Sequence, residues 1–234
     1  FKAVEDREAS YGVVPVENSI EGSVNITLDL LRETKLKIKA EIIEKIKHNL
    51  IVNLGTKKSD IKTVVSHPQA LAQLRGFIEE KFPKAKLVET ASTALAVEKL
   101  GKLKNAAAIG TELSARIYGM KVLTKNIGGN KSNYTRFFVL GQEDSEPTGH
   151  DKTSLTFTLK DVPGVLFRFL EPFALRNINL SKIESRPFKE RPWEYVFFME
   201  FEGHREDPKC NDAINSAKKL CETIKVLGSF PRKI

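Results

Sequence analysis

A short polar motif near the middle of the chain contains side chains that could polarise and position a small substrate. Asn133-Tyr134-Thr135-Arg136-Phe137 presents an amide, a hydroxyl and a guanidinium just before the apolar run 137–141. Such a run, bounded by polar residues, predicts a buried strand. Polar groups at the mouth of a buried strand are held rigidly and could meet a ligand. Thr and Asn also make ordinary turns and strand caps, so the motif alone leaves both readings open.

A second group of polar residues follows another apolar segment. Tyr11–Val16 predicts a buried strand with its proline at the edge or the end, and Glu17 and Asn18 come directly after it. A helix is expected over 24–32, with Ser23 or Asn25 able to cap it. A carboxylate and an amide beside a helix N-terminus suit a polar ligand, and a simple capped turn explains them equally well.

A third group follows the β-branched segment Ile61–Val65, which predicts a short strand. Ser66 is the expected N-cap of the next helix, and Gln69 and Gln73, four residues apart, share one face of it. His67 is expected to be a turn residue rather than a metal ligand, because no second His or Cys lies at ligand spacing.

The strand followed by a capped helix recurs twice more, with Ser92 and Thr93 after the strand 86–89 and Thr111 after the strand 106–109. Repeated βα units predict a mostly parallel sheet flanked by helices. Ligands of such folds collect at the carboxyl ends of the strands, among helix N-termini. Several helix starts on one sheet edge favour a substrate with carboxylates.

The C-terminal third has a different pattern. Gln142–His150 is polar, acidic and broken by Pro and Gly, which indicates a linker. Beyond it the order of elements is βαββαβ, the ferredoxin-like arrangement. The expected strands cover 153–159, 178–185, 193–202 and 224–230, and the expected helices cover 164–176 and 211–222.

Composition narrows the class of protein. The chain has 234 residues and a net charge of +8, but its lysines are scattered among glutamates, so we expect a solvated surface and no nucleic-acid partner. No run approaches the ~18 apolar residues of a membrane span. Cys210 and Cys221 are expected in one helix, roughly 16 Å apart along its axis, too far for a disulfide. Reduced thiols predict a cytoplasmic location.

The motifs together resemble those of the prephenate dehydratase family, and the resemblance covers essentially the whole chain. The stretches similar to the family's catalytic and regulatory motifs are 14–22, 66–73, 133–137, 164–167 and 184–187. The resemblance implies an α/β fold: a two-lobed, type 2 periplasmic-binding-protein-like catalytic domain over 1–143, a linker over 144–151 and a ferredoxin-like ACT regulatory domain over 152–234.

The chain departs from the family pattern in two places. Family members open with a Gly-rich strand–turn–helix, so we expect the first βαβ unit to be missing upstream of Phe1, and nothing suggests the form fused to chorismate mutase. The first regulatory motif has Val165 and Phe167 where Ala and Val are usual, a change that could retune effector affinity.

The resemblance implies conversion of prephenate to phenylpyruvate with loss of carbon dioxide and water, in L-phenylalanine biosynthesis. Because the product is aromatic, positioning and electrostatics suffice, and neither a metal nor another cofactor is expected. Thr135 is the expected donor to the leaving hydroxyl. Glu17 is the expected proton source if burial favours its protonated form.

The remaining predicted residues position the substrate or bind the effector. Asn18, Ser66 and Gln73 would orient the substrate, and Ser92, Thr93 and Asn133 would bind it. Arg136 could pair with a substrate carboxylate or make a structural ion pair. The residues expected to bind L-phenylalanine, at an interface within a homodimer or homotetramer, are Gly164, Val165, Leu166, Glu184, Ser185, Arg186 and Pro187. Glu184, Ser185 and Arg186 are expected to follow a strand.

Two alternatives stay open at this point. Arogenate dehydratase carries out the same chemistry on an aminated side chain. A non-catalytic amino-acid-binding regulator would use the two-lobed domain only to support the sensor. Prephenate turnover and phenylalanine binding separate these readings.

Overall fold

The computed structural model describes residues 1–129, 133–188, 191 and 193–233 and divides into two compact units. The first unit comprises Phe1–Glu44 and Thr135–Ile234, and the second comprises Lys45–Tyr134. The strands are β1 (Gly12–Asn18), β2 (Gly22–Ser23), β3 (Lys37–Lys45), β4 (Asn49–Val52), β5 (Thr63–Ser66), β6 (Lys86–Glu89), β7 (Ala106–Gly110), β8 (Lys121–Thr124), β9 (Tyr134–Gly141), β10 (Asp151–Thr158), β11 (Leu180–Pro187), β12 (Tyr195–Glu202) and β13 (Thr223–Pro231). The helices are α1 (Lys2–Glu5), α2 (Asn25–Glu33), α3 (Pro68–Gln73), α4 (Arg75–Lys81), α5 (Thr93–Lys99), α6 (Glu112–Ile117), α7 (Val165–Ala174) and α8 (Pro208–Lys218).

The first unit contains a sheet of order β2-β1-β9-β3, in which β1 is antiparallel to β2 and β9. The expectation that β1 is buried throughout is wrong, because Val13 is 59% exposed and only Val16 is fully buried. Pro15 lies at a register shift in the pairing with β9, where a missing backbone N–H is tolerated. β9 begins at Tyr134, so Thr135 lies inside the strand rather than at its mouth.

The second unit is built on a sheet of order β6-β5-β7-β4-β8. β5 is parallel to β6 and β7, whereas β4 is antiparallel to both of its neighbours. The predicted parallel pairing is therefore confirmed for β5, β6 and β7, the strands of the βα units, and is wrong for β4, which runs against both of its neighbours. The βα units produce the parallel pairs, because a crossover helix returns the chain to the same edge of the sheet.

The helix starts agree only partly with the expected caps. Ser92 and Thr111 cap α5 and α6, accepting hydrogen bonds from the backbone N–H groups of Leu95 and Ser114. Ser66 does not cap α3. His67 is the N-cap residue, and its ring accepts a hydrogen bond from the Gln69 N–H at 3.3 Å. α2 has no side-chain cap, because its N-cap residue is a valine.

The C-terminal segment forms the predicted ferredoxin-like sheet, with strand order β11-β12-β10-β13. α7 and α8 cover one face through a core in which Phe157 stacks on Phe169 with ring centroids 3.8 Å apart. Cys221 lies beyond the end of α8 rather than in the helix, and both cysteines are free thiols. The pattern of alternating apolar residues therefore predicted the order of elements correctly, with the helix end displaced.

The other face of this sheet packs within the same unit against α2, β3 and β9. The sheet contributes apolar side chains of β12 and β13 to this contact, and the ring centroid of Phe230 on β13 lies 5.6 Å from that of Phe138 on β9. The chain between β9 and β10 is irregular but held: Asp144 pairs with Arg205 at 2.9 Å, and the Ser145 hydroxyl donates to the Lys39 carbonyl at 2.8 Å. No helix in the described part of the chain is long and apolar enough to cross a membrane.

Candidate functional site

Strand pairing brings together four of the predicted site residues in the first unit. At the end of β1, Glu17 lies opposite Arg136 of β9, and Asn18 lies opposite Thr135. The register shift after Pro15 sets this pairing. A bulge of this kind re-aims the side chains that follow it. Residues more than a hundred positions apart in the sequence thus become neighbours across one strand pair.

A hydrogen bond joins the amide of Asn18 to the hydroxyl of Thr135. Asn18 Nδ2 donates to Thr135 Oγ1 at 3.0 Å. The side-chain oxygen of Asn18, Oδ1, accepts hydrogen bonds from the backbone N–H groups of Ile20 and Glu21 at 3.0 and 3.2 Å, which fixes the orientation of the side-chain amide. Because the Thr135 oxygen accepts this bond, its own proton remains available for donation to another acceptor.

Glu17 is an ion-paired carboxylate at this site. Lys182 of β11 donates to Glu17 Oε2 at 2.9 Å. The Glu17 side chain is 38% exposed, so the burial on which its expected role as a proton source depends is not observed. Its position beside Asn18 at the end of β1 is as the sequence predicted, whereas its partner is a lysine that the sequence did not identify.

Arg136 makes the structural ion pair that the sequence left open. Its guanidinium donates two hydrogen bonds to Glu200, at 2.9 and 2.7 Å, and a third to Glu41 at 2.7 Å. Burial by itself would lower the pKa of Arg136. The hydrogen bonds and negative charges of Glu200 and Glu41 outweigh burial, so the pKa of Arg136 is raised. Burial by itself would raise the pKa of Glu41. The charges of Arg136 and Lys152 and the hydrogen bond from the Lys233 backbone N–H outweigh burial, so the pKa of Glu41 is lowered.

In the second unit a chain of side-chain hydrogen bonds includes two predicted residues. Asn133 Nδ2 donates to Gln73 Oε1 at 3.2 Å, and Gln73 is also hydrogen-bonded to the ring of His48. Burial lowers the pKa of His48, and the bond to Gln73 opposes this without reversing it. The other ring nitrogen, Nδ1, is buried without a partner among the described residues. Sequence reasoning missed His48, which no motif surrounds.

The three hydroxyl residues predicted in the second unit serve the fold in different ways. Ser66 is fully buried, and its hydroxyl donates to the Ile109 carbonyl of β7 at 2.8 Å. The Ser92 hydroxyl oxygen caps α5 by accepting a hydrogen bond from the Leu95 N–H at 3.0 Å. Thr93 is the first residue of that helix. The structure therefore gives Ser66 a role in joining two strands, in place of the predicted cap.

The first regulatory motif lies at the start of α7. Gly164 is the N-cap residue with φ of +75°, a left-handed conformation that favours glycine. Val165 and Leu166 line a cavity of about 330 Å³ together with Trp193 and Tyr195. That volume is at the small end of the range for ligand pockets, about 300–1,000 Å³.

The second regulatory motif lies within β11 instead of following a strand, which corrects the prediction for Glu184, Ser185 and Arg186. Alternation along β11 places Ser185 and Pro187 on its exposed side. Glu184 accepts a hydrogen bond from Ser23, and Arg186 contacts Asn25.

A set of charged residues in the first unit has no counterpart in the sequence predictions. Lys182 pairs with Glu17, Glu41 pairs with Lys152 at 3.3 Å, and Glu200 pairs with Arg136. Strand alternation alone could have grouped Lys182 with Glu184 on one face of β11, but charges on a strand usually indicate a solvated face. In the described residues no group of three or more His, Cys, Asp or Glu is arranged to hold a metal ion.

Two family profiles match successive parts of the chain. The profile of the prephenate dehydratase family matches residues 1–145, and the ACT domain profile matches residues 153–218.

Three relatives align over nearly the whole chain. The bifunctional chorismate mutase/prephenate dehydratase of Aquifex aeolicus is 43% identical over 234 residues, which is 100% of this chain and 64% of the relative. The prephenate dehydratase of Methanocaldococcus jannaschii is 44% identical over 225 residues, covering 94% of this chain and 80% of the relative. Arogenate dehydratase 2 of Petunia hybrida is 38% identical over 248 residues, covering 99% and 63%. The chain thus spans under two-thirds of the Aquifex and Petunia relatives.

Two solved structures are similar along the full chain. Prephenate dehydratase from Arthrobacter aurescens in complex with L-Phe has a TM-score of 0.88 and 35% identity, covering 99% of this chain and 78% of that one. GqqA, described as a novel type of quorum quenching acylase, has a TM-score of 0.88 and 29% identity, covering 99% and 85%.

Proposed function

The chain belongs to the prephenate dehydratase family, and we propose on this ground that the protein converts prephenate to phenylpyruvate in L-phenylalanine biosynthesis. The bond between the ring and its carboxylate breaks, and its electron pair enters the ring. The ring C–O bond breaks at the same time, and the hydroxyl leaves as water after taking up one proton. The products are phenylpyruvate, carbon dioxide and water.

The hydrogen bond between Asn18 and Thr135 carries this proposal. Departure of hydroxide is the difficult part of the reaction, and a donor aimed at the leaving oxygen stabilises the charge that develops there. Asn18 occupies an acceptor site of Thr135 Oγ1 at 3.0 Å, so the Thr135 proton can be donated to the leaving oxygen. A free alcohol is a poor acid at neutral pH, so Thr135 donates a hydrogen bond or relays a proton.

Glu17 is the ionisable group beside Asn18 at the end of β1. Because its carboxylate is paired with Lys182 and is 38% exposed, we retain it as a charged group that acts on the site electrostatically and not as the proton source. Arg136, held by Glu41 and Glu200, keeps the β9 backbone at Thr135 fixed. We assign Arg136 a structural role in place of a contact to substrate.

In the second unit we retain Ser92, Thr93, Gln73 and Asn133 as substrate-binding residues. The Asn133–Gln73 hydrogen bond of 3.2 Å holds both amides in defined orientations. Ser66 supports them from within the sheet, because its hydroxyl is engaged with the Ile109 carbonyl.

Replacing Thr135 tests the proposal. Phenylpyruvate is measured by its ultraviolet absorbance in alkali. Thr135→Val keeps the shape and loses the donor, so kcat should fall about 10²–10⁴-fold, as for loss of a general acid. Thr135→Ser keeps the hydroxyl and should retain most of the rate.

Thr156→Val is the matched control for losing a threonine hydroxyl. The Thr156 hydroxyl donates to the Phe197 carbonyl at 2.9 Å in the regulatory sheet, and its loss should affect stability without changing kcat. A Thr135→Val enzyme with near-normal turnover would contradict the assigned role.

Arogenate dehydratase is the second candidate, and the Petunia relative favours it. Arogenate has an amine where prephenate has a ketone, so the two substrates differ far from the leaving hydroxyl. The ratio of kcat/KM values for the two substrates, with phenylalanine or phenylpyruvate quantified as product, assigns the preference. No turnover of either, with phenylalanine still bound, would leave a sensor without catalytic activity.

We also propose that L-phenylalanine is the allosteric effector and binds in a homodimer or homotetramer. Several large apolar side chains of the regulatory segment are solvent-exposed, including Phe167 at 71% and Trp193 at 91%. Covering them in an assembly would place Val165, Leu166 and Ser185 at or near its interface. Sedimentation with and without L-phenylalanine, together with calorimetric titration of Ser185→Ala, tests both parts.

The domain boundaries and cellular location complete the proposal. We place the catalytic domain at 1–143, the linker at 144–151 and the regulatory domain at 152–234. Two free thiols at Cys210 and Cys221 favour the cytoplasm.

A further inference from the structure

The regulatory segment supplies a lysine to the proposed catalytic carboxylate. Lys182 lies on β11, two residues before Glu184 of the second effector motif, so both side chains project from the same face. Lys182 Nζ is 2.9 Å from Glu17 Oε2, 3.1 Å from Ser23 Oγ and 3.4 Å from Glu184 Oε2. One ammonium is therefore shared between a predicted catalytic carboxylate and a predicted effector-motif carboxylate.

The Lys182 ammonium contacts both carboxylates at once. Ser23 bridges the two branches, because its oxygen accepts from Lys182 and its proton goes to Glu184. Lys182 is only 15% exposed, so its charge is poorly screened by water and depends on both carboxylates. A movement of Glu184 toward or away from Lys182 changes how strongly the ammonium holds Glu17.

Neighbouring ion pairs restrict the movement of Lys182 and Glu17. Arg136 lies beside Glu17 at 3.9 Å and is clamped by Glu200, which belongs to the strand next to β11. Arg186, on the same face of β11 as Lys182, contacts Asp29 of α2 at 3.2 Å. Displacement of β11 is thus resisted by the contacts of Lys182, Glu184 and Arg186 with the elements beside it.

We propose that Lys182 is a positioning residue for the dehydration reaction and the point at which phenylalanine occupancy reaches it. Lys182 orients the Glu17 carboxylate next to Asn18 and Thr135. L-Phenylalanine favours the arrangement in which Glu184 keeps the ammonium and Glu17 loses it. The role of Glu17 in the reaction rests on the proposed function. The coupling between Lys182 and the effector concerns binding alone.

Reciprocity makes the coupling measurable without turnover. If the effector weakens the Glu17–Lys182 pair, then weakening that pair must tighten effector binding by the same factor. Calorimetric titration of L-phenylalanine into the full-length protein compares wild type, Glu17→Gln, Lys182→Met and the double variant. Glu17→Gln should bind phenylalanine at least about threefold more tightly, a shift of about 0.7 kcal/mol. In the Lys182→Met background the same substitution should change nothing.

Lys152 supplies a matched control. It lies on β10 of the same regulatory sheet, is 14% exposed, and pairs with Glu41 at 3.3 Å rather than with Glu17. Lys152→Met therefore removes a similarly buried, similarly paired ammonium. The Lys152→Met protein should lose stability as the Lys182→Met protein does. Its kcat should stay near wild type, and Glu17→Gln should still tighten phenylalanine binding in the Lys152→Met background.

Turnover provides the second readout. Lys182→Met should lower kcat at least about tenfold relative to Lys152→Met, with a smaller change in KM, and Lys182→Arg should recover part of the rate. Equal phenylalanine affinity in wild type and Glu17→Gln, or a response that survives Lys182→Met, would overturn the inference. A wild-type protein that turns over neither prephenate nor arogenate but shows the affinity response would refute the proposed function while sustaining the coupling through Lys182.

Discussion

Gly228 marks a place where two strand backbones of the first unit touch without side chains between them. A Cβ built on Gly228 of β13 lies 2.4 Å from the Ile38 carbonyl oxygen, 2.6 Å from its nitrogen and 3.0 Å from its carbonyl carbon. All three atoms are backbone of β3, so no flexible side chain can move aside. In Gly228→Ala the two strands must separate by about 1 Å to regain normal contact distances.

The loss of stability follows from the buried apolar cluster that lies beside the two strands. Ile38 and its neighbour Leu36 belong to the buried cluster that contains Phe138 and Phe230. Overpacking at such a site costs about 1–3 kcal/mol of unfolding free energy. For a protein of this size that lowers Tm by about 2–4 °C per kcal/mol, and the total fall should be about 2–12 °C by differential scanning calorimetry.

Gly76→Ala is the matched control for this substitution. Gly76 is exposed in α4, and a Cβ there has no atom within 4 Å. Alanine in an exposed helix should stabilise the protein by about 0.5–1 kcal/mol. The two Gly→Ala changes should therefore shift Tm in opposite directions. A Gly228→Ala protein as stable as wild type would refute the close approach of β13 to β3.

Three other predictions concern the buried charges and the core. Arg136→Met leaves the Glu200 carboxylate buried without its cation and should cost about 3–5 kcal/mol in urea unfolding, part of which Glu200→Met in the same chain should restore. His48 has a pKa lowered from 6.5, so the unfolded chain binds its proton more readily and stability should fall as pH drops below about 6.5. His48→Gln should remove that part of the Tm slope between about pH 7 and 5, and an unchanged slope would contradict the burial. Phe169→Ala, at a fully buried ring, should cost about 3–5 kcal/mol in urea unfolding, whereas Leu54→Ala, at a 76% exposed side chain of the second unit, should stay within about 0.5 kcal/mol.

Local patterns in the sequence were sufficient for most elements of the fold. Alternating apolar residues after position 150 predicted the βαββαβ order, because strand and helix periods are properties of a few consecutive residues. Caps at Ser92 and Thr111 were predictable for the same reason, since an N-cap bonds a backbone group within three positions. The motif order also sufficed to identify the family.

Predictions failed where a side chain had a choice of partners. Ser66 has the right type for a cap, but in the fold its hydroxyl reaches the Ile109 carbonyl, 43 positions away in the sequence. Arg186 was expected beyond a strand end and lies within β11, because pairing with β12 extends the strand past the last apolar residue.

The charged contacts around Glu17 depend entirely on tertiary structure. Glu17 and Lys182 are 165 positions apart, and each belongs to an unremarkable charged stretch. Their contact exists because the bulge after Pro15 aims the end of β1 and because pairing with β12 fixes the register of β11. Periodicity tells which face of a strand a residue occupies, but the residue that meets that face is set by how sheets pack, and that depends on the free energy of the whole chain.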